Sequence, residues 1–318
     1  MYPPIEPYDG GMLDVGHGHE LYWEVSGNAE GRPAIFLHGG PGGAPGPGSR
    51  RFFDPDFYRI VVFHQRGCGN SRPLASDPGA DLSVNTTAHL IADIEALRRH
   101  LDVERWTMVG VSWGTTLGLA YAQEYPDRVD GLVLGLVTAT TRREVEWMTR
   151  ELRRLYPREW DRFAAVVPGS LRHLPIVDAY AELLADSDSQ VRNRAAHEWV
   201  VWDHAQMGNP PGPKFDDPNV RLTYARLVTH YWRNGGFLAE DQLLHNADRL
   251  DGIPGALIQG AHDVSCPLDT AWDLAKKWTT AELVIVDAGH GTSKSTPDAF
   301  PSAVIAALDR LARAPQRH

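Results

Sequence analysis

Ser112, His290 and Asp263 are the residues of this chain whose types and surroundings could together do covalent chemistry on a carbonyl. A serine hydroxyl is a poor nucleophile until a base takes its proton. An imidazole can do so at neutral pH, and a carboxylate behind it sets the ring tautomer and stabilises the imidazolium that forms. Ser112 is the centre of Gly110-Val111-Ser112-Trp113-Gly114, entered by the apolar run 106–109 and left by the small-residue run 115–123. A strand, a sharp turn and a helix in that order would hold the central residue in a strained conformation, the two glycines leaving room for the crossing backbones. Asp263 follows the apolar run 255–259 and His290 follows 282–286, so each stands where a late strand should end. Asp287 is a rival acid, but it is too close to His290 in sequence to face the imidazole well. Attack on a carbonyl makes an oxyanion. The backbone amides of Trp113 and of Gly40 could receive it, Gly40 lying in the side-chain-poor run His38-Gly39-Gly40-Pro41-Gly42-Gly43.

Residues so far apart in sequence need a scaffold that brings strand ends to one edge. The runs 20–25, 33–37, 59–63, 106–109 and 131–137 read as strands, the first two separated by a turn-rich segment. After Asn85, a plausible N-cap, Leu90, Ile94, Leu97 and Leu101 fall at helical spacing. Strands alternating with helices predict a mostly parallel, doubly wound sheet, whose carboxyl edge is where ligands bind. The chain order serine, acid, histidine is the order that an α/β-hydrolase uses. From 138 to 250 the sequence is rich in Arg, Trp and Glu with helical periodicity and no clear buried strand. The expected organisation is therefore an α/β-hydrolase core in two parts, 1–137 and 251–318, with a helical cap at 138–250.

The bulk properties narrow the function classes. The 318 residues suit one α/β domain with an insertion, and 42% hydrophobic with 23% charged residues is ordinary globular composition. A net charge of -10 disfavours nucleic acid as a partner. The first residues show neither a basic nor an apolar leader pattern, and no run reaches the ~18 apolar residues of a membrane span, so a cytoplasmic protein without a membrane partner is expected. Cys68 and Cys266 are too few for a disulfide framework and are not spaced as metal ligands. Free thiols are expected, and the assembly state is left open.

Several longer segments add to this. His-Gly-Gly-Pro-Gly-Gly at 38–43, Gln-Arg-Gly-Cys-Gly-Asn-Ser at 65–71, Ser-Trp-Gly-Thr-Thr-Leu at 112–117, Ala-Tyr-Ala-Gln at 120–123, His-Asp-Val-Ser-Cys-Pro at 262–267 and Gly-His at 289–290 together resemble the proline iminopeptidases, or prolyl aminopeptidases. The resemblance implies release of an N-terminal proline from a small peptide or aminoacyl amide, with no metal or cofactor. It places Cys266 near the active site, which implies sensitivity to thiol reagents. It also implies cap carboxylates that hold the substrate's free amine. One family segment, Trp-x-x-Trp-Glu, corresponds to Trp199-Val200-Val201-Trp202-Asp203, where the acid is one methylene shorter. A second, Glu-Asn-His-Tyr-Phe, corresponds to Val228-Thr229-His230-Tyr231-Trp232, where Val228 has no charge to offer. Asp203, Trp199, Trp202 and Tyr231 are thus the expected substrate-binding residues. Val228 keeps open a related serine amidase or esterase whose substrate lacks a free amine. An epoxide hydrolase or dehalogenase would want an aspartate at position 112.

Overall fold

The computed structural model describes residues 1–291 and 295–313, so the end of the second expected core segment, 314–318, lies outside the described residues. Eight strands form one sheet: β1 (Asp9–Asp14), β2 (Glu20–Gly27), β3 (Arg32–Leu37), β4 (Tyr58–Phe63), β5 (Trp106–Val111), β6 (Val129–Gly135), β7 (Gly255–Gly260) and β8 (Ala281–Val286). Their order across the sheet is β1-β2-β4-β3-β5-β6-β7-β8. The β1/β2 and β2/β4 pairs are antiparallel and the rest are parallel. The central strands read as continuous apolar runs because a parallel sheet is covered on both faces. Trp106, Met108 and Val109 of β5 are fully buried.

Helix α1 (Thr87–His100) connects β4 to β5, and α2 (Trp113–Glu124) connects β5 to β6. Between β6 and β7 lies the inserted helical cap: α3 (Arg142–Thr149), α4 (Pro157–Ala165), α5 (Ile176–Leu184), α6 (Ser189–Gln206), α7 (Pro218–Arg233) and the single turn α8 (Gln242–His245). Helices α9 (Leu268–Lys277) and α10 (Ala299–Arg313) complete the core. The apolar residues of α1, α2 and α9 share one large cluster with the cap, whereas α10 covers the other face through Phe300, Val304 and Leu308. The cap is held by an aromatic stack of its own. Phe163 lies face to face with Tyr180 at 4.4 Å and with Trp202 at 5.3 Å, and Trp199 meets it edge-on at 5.5 Å. No described helix is long and apolar enough to cross a membrane.

Three local expectations change. β1 was not legible in Asp-Gly-Gly-Met-Leu-Asp, an edge strand whose side chains are mostly exposed. β6 runs two residues earlier than expected, at 129–135. The N-cap of α1 is Thr86, whose hydroxyl accepts from the His89 amide. Asn85 is buried and turned to another use: its Nδ2 donates to the Arg66 carbonyl, and its Oδ1 accepts from the Tyr231 hydroxyl at 2.7 Å.

Candidate active site

Five strand ends converge at the carboxyl edge of the sheet. Ser112 follows β5 with φ 56° and ψ −124°, a backbone conformation that L-residues rarely adopt. The elbow is tight on both sides: a Cβ on Gly110 would run into the Gly114 carbonyl, and one on Gly114 into the Leu37 carbonyl at the end of β3. Strain of this kind persists only where the surroundings over-determine it, and here the Ser112 amide donates to Gly135 O while its carbonyl accepts from Thr115.

His290 follows β8 and Asp263 follows β7. The His290 Nδ1 lies 2.9 Å from Asp263 Oδ2, with both side chains almost wholly buried. The other carboxylate oxygen accepts from the amides of Ser265 at 3.0 Å and Cys266 at 2.9 Å, which fixes the plane of the acid. Burial alone would push the imidazole down, but the Asp263 charge, its hydrogen bond and the Asp203 charge outweigh it, so His290 sits above its ordinary value. The ring nitrogen left over is Nε2. Asp287 faces elsewhere: it pairs with His262 at 3.1 Å on the surface.

The loop after β3 lies against the elbow, since a Cβ on Gly39 would come within 3.2 Å of the Ser112 Cβ. Gly40 has φ 123° and is followed by a cis peptide to Pro41. Gln65, after β4, ties this loop to α2, the helix that follows Ser112. Its Nε2 donates to His38 O at 3.0 Å, its amide donates to His38 Nε2 at 3.0 Å, and its Oε1 accepts from Trp113 Nε1 at 3.0 Å. His38 is therefore a neutral acceptor, its buried ring pushed down to about 3. Arg66, next in the chain, makes a buried two-point pair with Asp93 at 2.6 and 2.7 Å, which anchors the loop after β4 on α1.

From the cap, Asp203 on α6 is buried, and its charge reaches His290. Burial raises its carboxyl above the usual range, only partly offset by the hydrogen bond from Tyr224, whose hydroxyl donates to Oδ2 at 2.5 Å from α7. Tyr231 packs its ring on Trp113 at 4.6 Å, which brings α7 onto the elbow. Trp199 and Trp202 lie in the cap's aromatic stack, Trp202 donating its Nε1 to Met148 O. Val228 is fully buried among apolar neighbours on α7.

Among the described residues, Asp263, Cys266 and His290 form the one group that could hold a metal ion, their ligand atoms all within 4.8 Å of one another. The donor set fits poorly. Asp263 Oδ2 is taken by His290 Nδ1 and its Oδ1 accepts from the Ser265 and Cys266 amides, so the carboxylate is already engaged, and burial favours the neutral Cys266 thiol.

Sequence reasoning gave no role to Gln65, although it begins the Gln-Arg-Gly-Cys-Gly-Asn-Ser segment, and passed over Tyr224 and Glu144. A lone tyrosine on a helix has no spacing signature. Glu144 had one, because Thr141-x-x-Glu144 is a capping box for α3. Its carboxylate also accepts from Thr270 at 2.7 Å and so joins the cap to the segment after Asp263.

Comparisons with known proteins agree with this geometry. The α/β hydrolase fold family model matches residues 33–294. A "Probable proline iminopeptidase" of Streptomyces coelicolor is 48% identical over 320 residues, covering 98% of each chain. A "Proline iminopeptidase" of Arabidopsis thaliana is 44% identical over 301 residues, covering 92% of this chain and 78% of its own. The solved proline iminopeptidase structure from Mycobacterium smegmatis superposes with a TM-score of 0.65 at 21% identity, over 96% of this chain and 99% of that one, a likeness of fold. With an elbow serine, a buried His–Asp pair and relatives of this similarity along nearly its whole length, the chain belongs to the proline iminopeptidase family of α/β-hydrolases.

Proposed function

We propose that this protein releases an N-terminal proline from short peptides or prolyl amides through an acyl-enzyme on Ser112. Ser112 Oγ attacks the prolyl carbonyl carbon while His290 Nε2 takes its proton, and Asp263 stabilises the resulting imidazolium. The carbonyl π electrons move onto oxygen, where the amides of Gly40 and Trp113 receive the charge. Collapse breaks the C–N bond, and the leaving amine takes the proton from His290. Water, deprotonated by the same imidazole, then releases proline and restores the Ser112 hydroxyl. The support for these roles is the strained elbow, the 2.9 Å His290–Asp263 contact and the approach of the glycine loop to Ser112.

The observation that carries the substrate assignment is Asp203, a buried cap carboxylate whose charge acts on His290 and whose side-chain hydrogen bond among the described residues comes from the Tyr224 hydroxyl. Burial makes ionising this acid costly, and a substrate ammonium in direct contact is the partner that would offset it. Tyr231, packed on Trp113 beside the elbow, would meet the pyrrolidine ring, and Trp199 and Trp202, on α6 with Asp203, would back it from the cap's aromatic stack. Asp203→Asn should depress kcat/KM for a prolyl anilide by about one to two decades, the loss of a hydrogen bond to a charged group at roughly 1.5–3 kcal/mol. It should leave an ester of similar shape without the amine nearly unchanged. The buried Val228 favours a second reading, an amidase or esterase indifferent to the amine. Equal slowing of both substrates, or a wild-type preference for amine-blocked ones, would establish that reading instead.

A further inference from the structure

A cleft of about 1010 Å³ opens in the cap, between α3 with the turn after it on one side and the 166–175 connection with the start of α5 on the other. Ser112, Asp263, His290, Asp203 and Tyr231 do not line it. The volume is at the upper end of the range for small-molecule sites, which suits a ligand several residues long better than a lone ion. Trp160 and Trp232 form part of its wall, each backed by a deeper tryptophan, Trp202 at 5.5 Å and Trp199 at 5.7 Å. The apolar surface is therefore part of the packed aromatic stack and is preorganised rather than assembled on binding.

The charge of this cleft runs against that of the chain. Five arginines face it against two carboxylates, Glu146 and Asp178, in a protein of net charge -10. Three of the arginines are paired: Arg142 with Glu240 at 3.7 Å, Arg150 with Glu146 at 3.1 Å and Arg233 with Asp178 at 3.0 Å. Arg153 and Arg172 have no carboxylate partner among the described residues; Arg153 is half-buried, whereas Arg172 is exposed at the rim and donates its Nε to Val167 O at 3.4 Å. A partly desolvated guanidinium beside a tryptophan wall suits a carboxylate on an apolar body, because the fork of N–H donors fits both carboxylate oxygens.

We propose that the cleft binds the C-terminal end of a short apolar peptide, with its α-carboxylate on Arg153 and Arg172 and its side chains against Trp160 and Trp232. Main-chain amides of a peptide can donate to Glu146 and Asp178, which an alkyl chain cannot do.

The test is calorimetric titration with N-acetyl-trileucine as the free acid, the same peptide as its C-terminal amide, and decanoate. The acetyl group removes the amine assigned to Asp203, so the outcome does not depend on the proposed activity. The acid should bind wild type at a single site, less tightly as salt is raised. The amide, decanoate and binding of the acid to an Arg153→Gln, Arg172→Gln double variant should each be weaker by about tenfold or more. The double variant should turn over a prolyl anilide at the wild-type rate, and the acid should not raise KM for that substrate. Equal binding of acid and amide, undiminished binding by the variant, or decanoate binding as tightly as the peptide would overturn the proposal. So would simple competition with the prolyl substrate, which would put the peptide in the catalytic pocket.

Discussion

Tyr224→Phe removes one oxygen and nothing else from the cap, and its effect should be read in pH rather than in rate alone. In the wild type the Tyr224 hydroxyl donates to Asp203 Oδ2 at 2.5 Å, a bond that favours the ionised acid against the burial that opposes it. A hydrogen bond to a charged group is worth roughly 1.5–3 kcal/mol, equivalent to about one to two pH units at 1.36 kcal/mol per tenfold, so its loss should raise the Asp203 pKa further. An acid whose pKa is raised is ionised only at higher pH, and only the ionised form holds an ammonium. The acid limb of kcat/KM for a prolyl anilide should therefore move to higher pH by about that amount, with activity recovering in the alkaline range. An amine-free ester needs only neutral His290. Because the Asp203 charge helps to raise His290, the ester profile should stay in place or move slightly to lower pH. Stopped assays of both substrates across the same pH series give the two curves directly. A uniform rate loss without displacement of the prolyl profile, or an equal displacement of both profiles, would refute the role given to Asp203 and its tyrosine.

Other outcomes follow from the same geometry. Ser112→Ala should keep the circular dichroism spectrum of wild type and lose several orders of magnitude in turnover, because one nucleophile carries the covalent route. For an amine-free ester, the wild-type acid limb should report one group titrating above the ordinary ~6.5 of histidine, with rate rising as His290 loses its proton; chelators should leave the curve unchanged. Gln65→Ala leaves the Trp113 indole N–H and the His38 carbonyl without their partner; kcat should fall by about tenfold to a hundredfold with little change in KM, as read from initial-rate kinetics.

The parts of this fold that were legible in sequence are those where one residue type answers to one physical need. Gly110 and Gly114 are required where two backbones cross, so the elbow could be read with its serine. β7 and β8 announce themselves as apolar runs, and the polar residues just beyond them had to fall on the edge where Ser112 stands. What stayed hidden depends on pairings across long sequence distances. Asn85 has the residue type of a helix cap, but its neighbour Thr86 takes that place and Asn85 meets Tyr231, 146 residues away. Tyr224 lies 21 residues from Asp203 on a different helix, and only the packing of α6 against α7 puts them together. β1 escaped because an exposed edge strand needs no apolar run.

The amide of Gln65 has a consequence for anyone designing compounds against this protein. One planar group of fixed size joins the glycine loop to the indole of Trp113, the residue beside Ser112, so neither side can adjust alone to an unfamiliar inhibitor. A warhead that mimics the tetrahedral adduct should meet much the same rigid cradle wherever relatives keep these contacts, and will discriminate poorly among them. Selectivity has to be sought in the part of the molecule that reaches α6 and α7, where this chain carries Asp203, Tyr224 and Val228.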